Sequence, residues 1–240
     1  MSDDPTTRQL EQMRLDWDQR ARENARYYVA SGREQWTDEE YFRSGELNVE
    51  QEILNDMGNV CQGRDPRRMR VLEIGCGTGR ITRALARQFG EVYAVDISAE
   101  MVRQAREALR AFPNARVFQN NGRDLTVLRR PGLAGVLDRI GLGRGLQFDF
   151  AFSYIVFQHI PSYEVIESYV REVHRLLRPG ALFKFQVQGY TGDDEPRDSW
   201  LGVPFDEDRA RAMAGRCGFE MRYNHGAGSQ YYWLWFFKQP

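Results

Sequence analysis

The stretch Val71-Leu-Glu-Ile-Gly-Cys-Gly-Thr-Gly-Arg80 constrains this chain more than any other. A short apolar, strand-like run enters three glycines at alternate positions, and helix-forming residues follow at once. Glycines at 75, 77 and 79 permit a tight turn and let a ligand approach the backbone closely. Amide N–H groups at a helix start favour an anionic ligand group, here a carboxylate. Asp96 ends the next strand-like run, about 20 residues on, where a carboxylate can accept hydrogen bonds from both hydroxyls of a ribose. These features together indicate a nucleoside-containing cofactor.

The spacing separates the candidates. Dinucleotide sites use G-x-G-x-x-G, which needs a glycine at position 80. That position is Arg80, and the glycine falls one place earlier, at Gly79. Glu73 stands just before the first glycine, where its carboxylate would repel a pyrophosphate and attract an ammonium group. A ligand with an amino-acid end suits the pair better. S-adenosylmethionine (SAM) has such an end, together with a ribose and an adenine.

Strand and helix patterns alternate after the charged linker Arg64–Arg68. Strands are expected at Met69–Ile74, Val92–Val95, Val117–Gln119, Phe148–Phe152 and Ala181–Val187. Helices are expected at Ile81–Phe89, Ala99–Ala111 and Tyr163–Leu177. Such alternation implies βαβ units and a parallel sheet. A helix at Glu207–Cys217 leads to two β-rich runs, Phe219–Tyr223 and Tyr231–Phe237, joined by a glycine-containing turn. These read as an antiparallel hairpin at one sheet edge. The first fifty-odd residues lack strand signals. Leu15, Ala21, Ala25, Tyr28 and Val29 recur at near-helical spacing, Thr37 opens a capping box, and a further helix is expected at Val49–Met57. The expected organisation is a helical cap over residues 1–63 and a cofactor-binding domain over 64–240. Residues 127–147, with five glycines, read as an insertion or lid.

VLEIGCGTG, VYAVDIS, FDFAFSYIVFQHIP and LLRPGALFKFQV, in that order, resemble the successive motifs of class I SAM-dependent methyltransferases. The similarity runs from about residue 68 to the C-terminus. It implies a doubly wound, mostly parallel seven-stranded α/β sheet with a reversed strand near its end. It also implies that Glu73, Gly75 and Gly77 surround the methionine end of SAM, with Cys76 as small packing and Gly79 completing the loop. Asp96 would then hold the ribose, with Ile97 and Met101 against the adenine. Asp124 and the backbone of Leu125 look like the adenine-edge pair. Because the spelling is Asn-Gly-Arg-Asp-Leu rather than Gly-Asp-Ala, Arg123 or Asn121 could share that role. Ser153 would border the cofactor where the fourth strand ends. In related enzymes N-terminal helices close over the cofactor, so Arg20 or Tyr28 could reach the methionine carboxylate. The same two side chains could equally serve helix packing.

Acceptor candidates lie beyond the carboxyl ends of the strands, where ligands of open α/β sheets sit. His159 is the one candidate catalytic base, with a structural histidine as the plain alternative. Gln158, Gln188 and Tyr190, with Trp200, are candidate acceptor contacts. Nucleobase amino-methyltransferases carry Asp or Asn, Pro, Pro and an aromatic where this chain reads Ser153-Tyr-Ile-Val156, which argues against that class. With 33 basic and 34 acidic side chains, no field draws a polyanion, so nucleic acid is not an expected partner. Three cysteines without ligand spacing suggest neither a disulfide framework nor a metal site, and fit a cytoplasmic setting. No apolar run is long enough for a membrane span. The reading is thus a SAM-dependent methyltransferase acting on a small molecule through its O, N or C atom. An NAD-dependent oxidoreductase and a non-catalytic SAM-binding protein are the alternatives. Oligomeric state is not legible.

Overall fold

The computed structural model describes residues 5–129, 145–189 and 199–239. The chain divides into two compact units, residues 1–122 and 123–240.

The first unit opens with α1 (Pro5–Val29), which breaks at Asn24, where φ is −163° and ψ is 78°. Asn24 Oδ1 accepts from the Tyr27 amide, and its Nδ2 donates to the Glu34 carbonyl. The side chain thereby starts a last helical turn of its own, as Asn does at helix N-termini. The buried stripe of α1 is Leu10, Met13, Ala21 and Ala25, whereas Leu15 is 48% exposed. Leu15 is therefore not one of the packing residues its spacing suggested. It lies off the face set by the positions three and four apart. The capping box at Thr37 forms, and α2 (Asp38–Glu52) runs on from it through the start of the helix expected at Val49. A 3-10 turn at Leu54–Asp56 then leads into α3 (Met57–Cys61).

Three parallel strands follow: β1 (Arg70–Ile74), β2 (Glu91–Asp96) and β3 (Ala115–Gln119). They pair in the order β3-β2-β1, with Val71 opposite Val92 and Ala94 opposite Val117. The connecting helices are α4 (Arg80–Gln88) and α5 (Ala99–Ala108). Val71, Leu72 and Ile74 of β1 are at most 2% exposed, as befits a parallel strand covered on both faces. The helices expected as a cap thus share one unit with these strands.

The second unit holds β4 (Phe148–Ser153), α6 (Tyr163–Leu176), β5 (Leu177–Val187), α7 (Glu207–Arg216), β6 (Phe219–His225) and β7 (Tyr232–Lys238). Its strands run β4-β5-β7-β6, which makes seven strands among the described residues. β4 and β5 are parallel, and β7 opposes both β5 and β6, as the expected hairpin requires. β5 starts at Leu177 rather than at Ala181. Arg178-Pro-Gly180 does not end the element; the β4–β5 register shifts between Phe148 and Phe150 to absorb the extra residues. Phe183 and Phe185 stack at 4.2 Å, and Phe157 and Phe236 meet Phe185 edge-on or tilted. This aromatic cluster is the apolar centre of the unit. Most of the 127–147 insertion, and Tyr190, lie outside the described residues.

Candidate functional site

In the first unit β1 ends at Ile74 and the chain turns through Gly75, Gly77 and Gly79, with φ of 75°, 51° and 84°. Residues with a Cβ rarely adopt that region. A Cβ at Gly77 would also stand 2.8 Å from Val29 Cγ2 on α1. The loop is pinned from within. The Gly75 and Cys76 amides donate to the Val95 carbonyl at 2.8 and 3.0 Å, the Gly79 amide to Cys76, and the Gly77 amide to Asp96 Oδ2 at 2.8 Å. Those four amides are thus used inside the protein and hold the shape of the loop. Burial holds the Cys76 thiol protonated, well above its ordinary range, which suits packing rather than nucleophilic chemistry.

Asp96, at the end of β2, accepts from the Gly77 amide and, through Oδ1, from the Ser98 amide at 2.9 Å. Burial pushes its carboxyl up to about 6, against the pull of these backbone donors. Each oxygen keeps a second lone pair, so the group fits the ribose diol expected of it. Glu73 is 2% exposed and accepts from Thr82 Oγ1 at 2.6 Å. Desolvation pushes its carboxyl up to about 8, so at neutral pH the empty protein holds it mostly protonated. A ligand ammonium nearby favours the ionised form. SAM binding at pH 7 is therefore expected to release up to about one proton. Calorimetry in buffers of different ionisation enthalpy measures this, and Glu73→Gln removes it. Because the folded value lies above the unfolded one, Glu73 also makes stability fall as pH rises from about 4.5 to about 8. The Gln variant flattens that slope in denaturant titrations.

α1 packs along this edge of the unit. A Cβ at Gly122 would stand 2.5 Å from Ile97 Cδ1 and 3.3 Å from Leu10 Cδ2. Further along, Asp18 accepts from Ser98 Oγ at 2.6 Å and the Glu100 amide at 3.2 Å. Ala21 and Ala25 cover Met101, which is 1% exposed. Ile97 and Met101 thus line a strip beneath α1. Arg20 lies over the Trp17 and Tyr28 rings, at 4.8 and 5.9 Å, and Tyr28 Oη donates to Glu23. α2 grips the loop separately: Tyr41 Oη bonds Thr78 Oγ1 at 2.6 Å, and Arg80 Nη1 donates to Ser44 Oγ and Asn48 Oδ1. Sequence reading missed Asp18, Tyr41 and Arg80. An acid at helical spacing from Ala21 and Ala25 was the visible signal for Asp18.

In the second unit the Arg123 carbonyl accepts from Ser168 Oγ, Asp124 Oδ1 caps the turn at Thr126, and Leu125 is fully buried. Ser153, 1% exposed, closes β4. A 3-10 turn at Phe157–His159 follows. There His159 Nδ1 lies 2.7 Å from the Trp200 carbonyl, and the two rings pack at 5.4 Å. A carbonyl can only accept, so the neutral ring carries its proton on Nδ1 and its basic lone pair on Nε2. Gln158 is 1% exposed, and its Oε1 accepts no hydrogen bond among the described residues. A buried acceptor in that state is costly unless a ligand donor meets it. The Gln188 carbonyl accepts from the Phe205 amide at 2.7 Å, so its backbone serves the sheet edge.

Residues 72–183 match the family model of the methyltransferase domain. Just under half of the chain is thereby matched to a methyltransferase domain. A biotin biosynthesis bifunctional protein BioCD of Bordetella avium is 54% identical over 46 residues, 18% of this chain and 10% of that protein. A malonyl-[acyl-carrier protein] O-methyltransferase of Enterobacter lignolyticus is 28% identical over 134 residues, 56% of this chain and 45% of that one. The chain thus spans less than half the length of either curated relative. The fold of the domain is that of magnesium protoporphyrin IX methyltransferase from Synechocystis, solved with SAM bound. That structure superposes with a TM-score of 0.64 at 17% identity, over 96% of this chain and 97% of its own. No helix among the described residues is long and apolar enough to cross a membrane.

Proposed function

We propose that this protein transfers the methyl group of SAM to an oxygen atom of a small-molecule acceptor. The observation that carries the reading is the glycine loop of a methyltransferase domain closed onto a buried carboxylate, Gly77 amide to Asp96. SAM supplies an electrophilic methyl group on a sulfonium sulfur, which an acceptor displaces in line. The chain's own work is to bind, orient and exclude water. Asp96 holds the ribose, Ile97 and Met101 flank the adenine beneath α1, and Glu73 with Gly75 and Gly77 borders the amino-acid end. Arg123, Asp124 and Leu125 border the adenine edge. Residues 1–63 act as the helical cap of the domain spanning 64–240. The curated O-methyltransferase relative supports oxygen as the acceptor atom. His159 is the candidate base for the proton of an acceptor hydroxyl or acid. Gln158 Oε1 is suited to a donor group on the acceptor.

Isothermal calorimetry with S-adenosylhomocysteine (SAH), and transfer of labelled methyl from SAM into a bacterial small-molecule extract, test the reading. Binding with label appearing as methyl ester or ether supports it. Binding without label identifies a non-catalytic SAM protein, and preference for a nicotinamide nucleotide identifies an oxidoreductase. His159→Gln is expected to lower the transfer rate roughly 100-fold with SAH affinity unchanged. An equal loss in both would place His159 in the cofactor site instead.

A further inference from the structure

The segment after β4 holds a backbone strain that the reaction as proposed leaves unused. Ile155 has φ of +56°, in the left-handed region, which a β-branched residue rarely enters. Among the described non-glycine residues only Gln62 shares that feature, and Gln62 ends helix α3, where it is ordinary. Ile155 ends no helix. Such strain persists only where the surroundings enforce it, and it collects at functional sites.

The Ile155 backbone is met here by one buried side chain. The Ile155 amide donates to Gln186 Oε1 at 2.9 Å. Gln186 is 3% exposed on β5, opposite Trp233 of β7. A polar side chain buried this deeply needs a polar partner, and the Ile155 amide is one. Immediately downstream the Val156 carbonyl accepts from the His159 amide, and the Gln158 and Ile160 carbonyls accept from Gly202 and Val203. The far side of the turn is therefore anchored by backbone, and its near side by Gln186. Gln158, with its unmet Oε1, and His159, with its fixed tautomer, lie between the two anchors.

We propose that Gln186 is a positioning residue for methyl transfer: it holds Ile155 in its left-handed conformation and so sets Gln158 and His159 toward the acceptor. The inference rests on the function proposed above. It adds that these side chains owe their placement to a strand that does not itself carry them.

Three variants test it: Gln186→Met, which removes the acceptor, Gln186→Glu, which keeps one, and Gln186→Met with Ile155→Gly, which relieves the strain. The readouts are hydrogen exchange of residues 155–160, SAH affinity, and label transfer from SAM into the extract. The Met variant is expected to exchange that segment about tenfold faster and to transfer label about tenfold more slowly, with SAH affinity within about threefold of wild type. Glu retains most of the protection, and the glycine substitution restores part of it, because glycine reaches the same φ without a Cβ penalty. Unchanged exchange in the Met variant overturns the inference. So does equal loss in the Met and Glu variants, which would indicate packing against Trp233, and so does failure of glycine to rescue. If the wild type binds SAH and labels nothing, the function fails, while the exchange data still decide the role of Gln186.

Discussion

Asp96→Ala is expected to weaken SAH binding by about 100-fold or more and to lower stability by roughly 2–4 kcal/mol. Two effects add. The carboxylate serves two backbone donors, the Gly77 and Ser98 amides, and alanine leaves both without a partner in a buried setting. The ribose diol then loses a charged acceptor, worth about 1.5–3 kcal/mol for each hydrogen bond. Asp96→Asn separates the effects, since its amide oxygen can serve one donor and carries no desolvated charge.

The pH dependence gives a second check. The folded carboxyl lies at about 6, above its ordinary value of 3.8. The group's contribution to stability is therefore present below about pH 3.8 and is lost as pH rises to about 6. Ribose binding wants the ionised form, so wild-type SAH affinity should rise through about pH 6 while this stability contribution falls. The Asn variant should lose the Asp96 part of both slopes and keep the part that belongs to Glu73. Titration calorimetry and urea unfolding across pH 4.5–8 measure both. An alanine variant that binds SAH within about threefold of wild type would contradict the role given to Asp96.

Asp18→Ala should release α1 from the first unit. Asp18 is 4% exposed and serves Ser98 Oγ, the Glu100 amide and the Arg14 guanidinium. Removing it deprives the start of α5 of a cap that reaches it from 80 residues earlier in the chain. The expected loss is roughly 2–3 kcal/mol, confined to α1 and its contact with α5. Trypsin should then cut at Arg14, Arg20, Arg22 or Arg26 while β1 to β3 stay protected. SAH affinity should drop about tenfold as the Met101 strip opens. Asp18→Asn should fall between. Wild-type resistance to trypsin in the alanine variant would show that the contacts of Leu10, Ala21 and Ala25 hold the helix alone.

How much of this was legible in the sequence differs from residue to residue. The glycine loop, Asp96 and the capping box at Thr37 were readable because each is a local device whose spacing carries its geometry. The strands were readable because a parallel strand buried on both faces is apolar throughout. Leu15 and the start of β5 at Leu177 were misread, and the Asn24 break had no reading at all. In each case local propensity was overruled by a partner distant in sequence: α1's buried face, the Glu34 carbonyl and the β4 register. The Gly75, Cys76 and Gly77 amides likewise meet their acceptors, Val95 and Asp96, only once β2 lies beside β1.

The sequence by itself determined that a glycine turn joins a strand to a helix, that an acid follows on the next strand, and that the chain forms an α/β sheet with a hairpin near its end. Only the tertiary structure decided that Glu73 is buried and mostly protonated, that Asp18 ties α1 to α5, and that Gln186 holds Ile155 in a strained turn. The division has one physical cause. Backbone conformation follows from neighbours in sequence, whereas solvation and hydrogen-bond partners follow from neighbours in space.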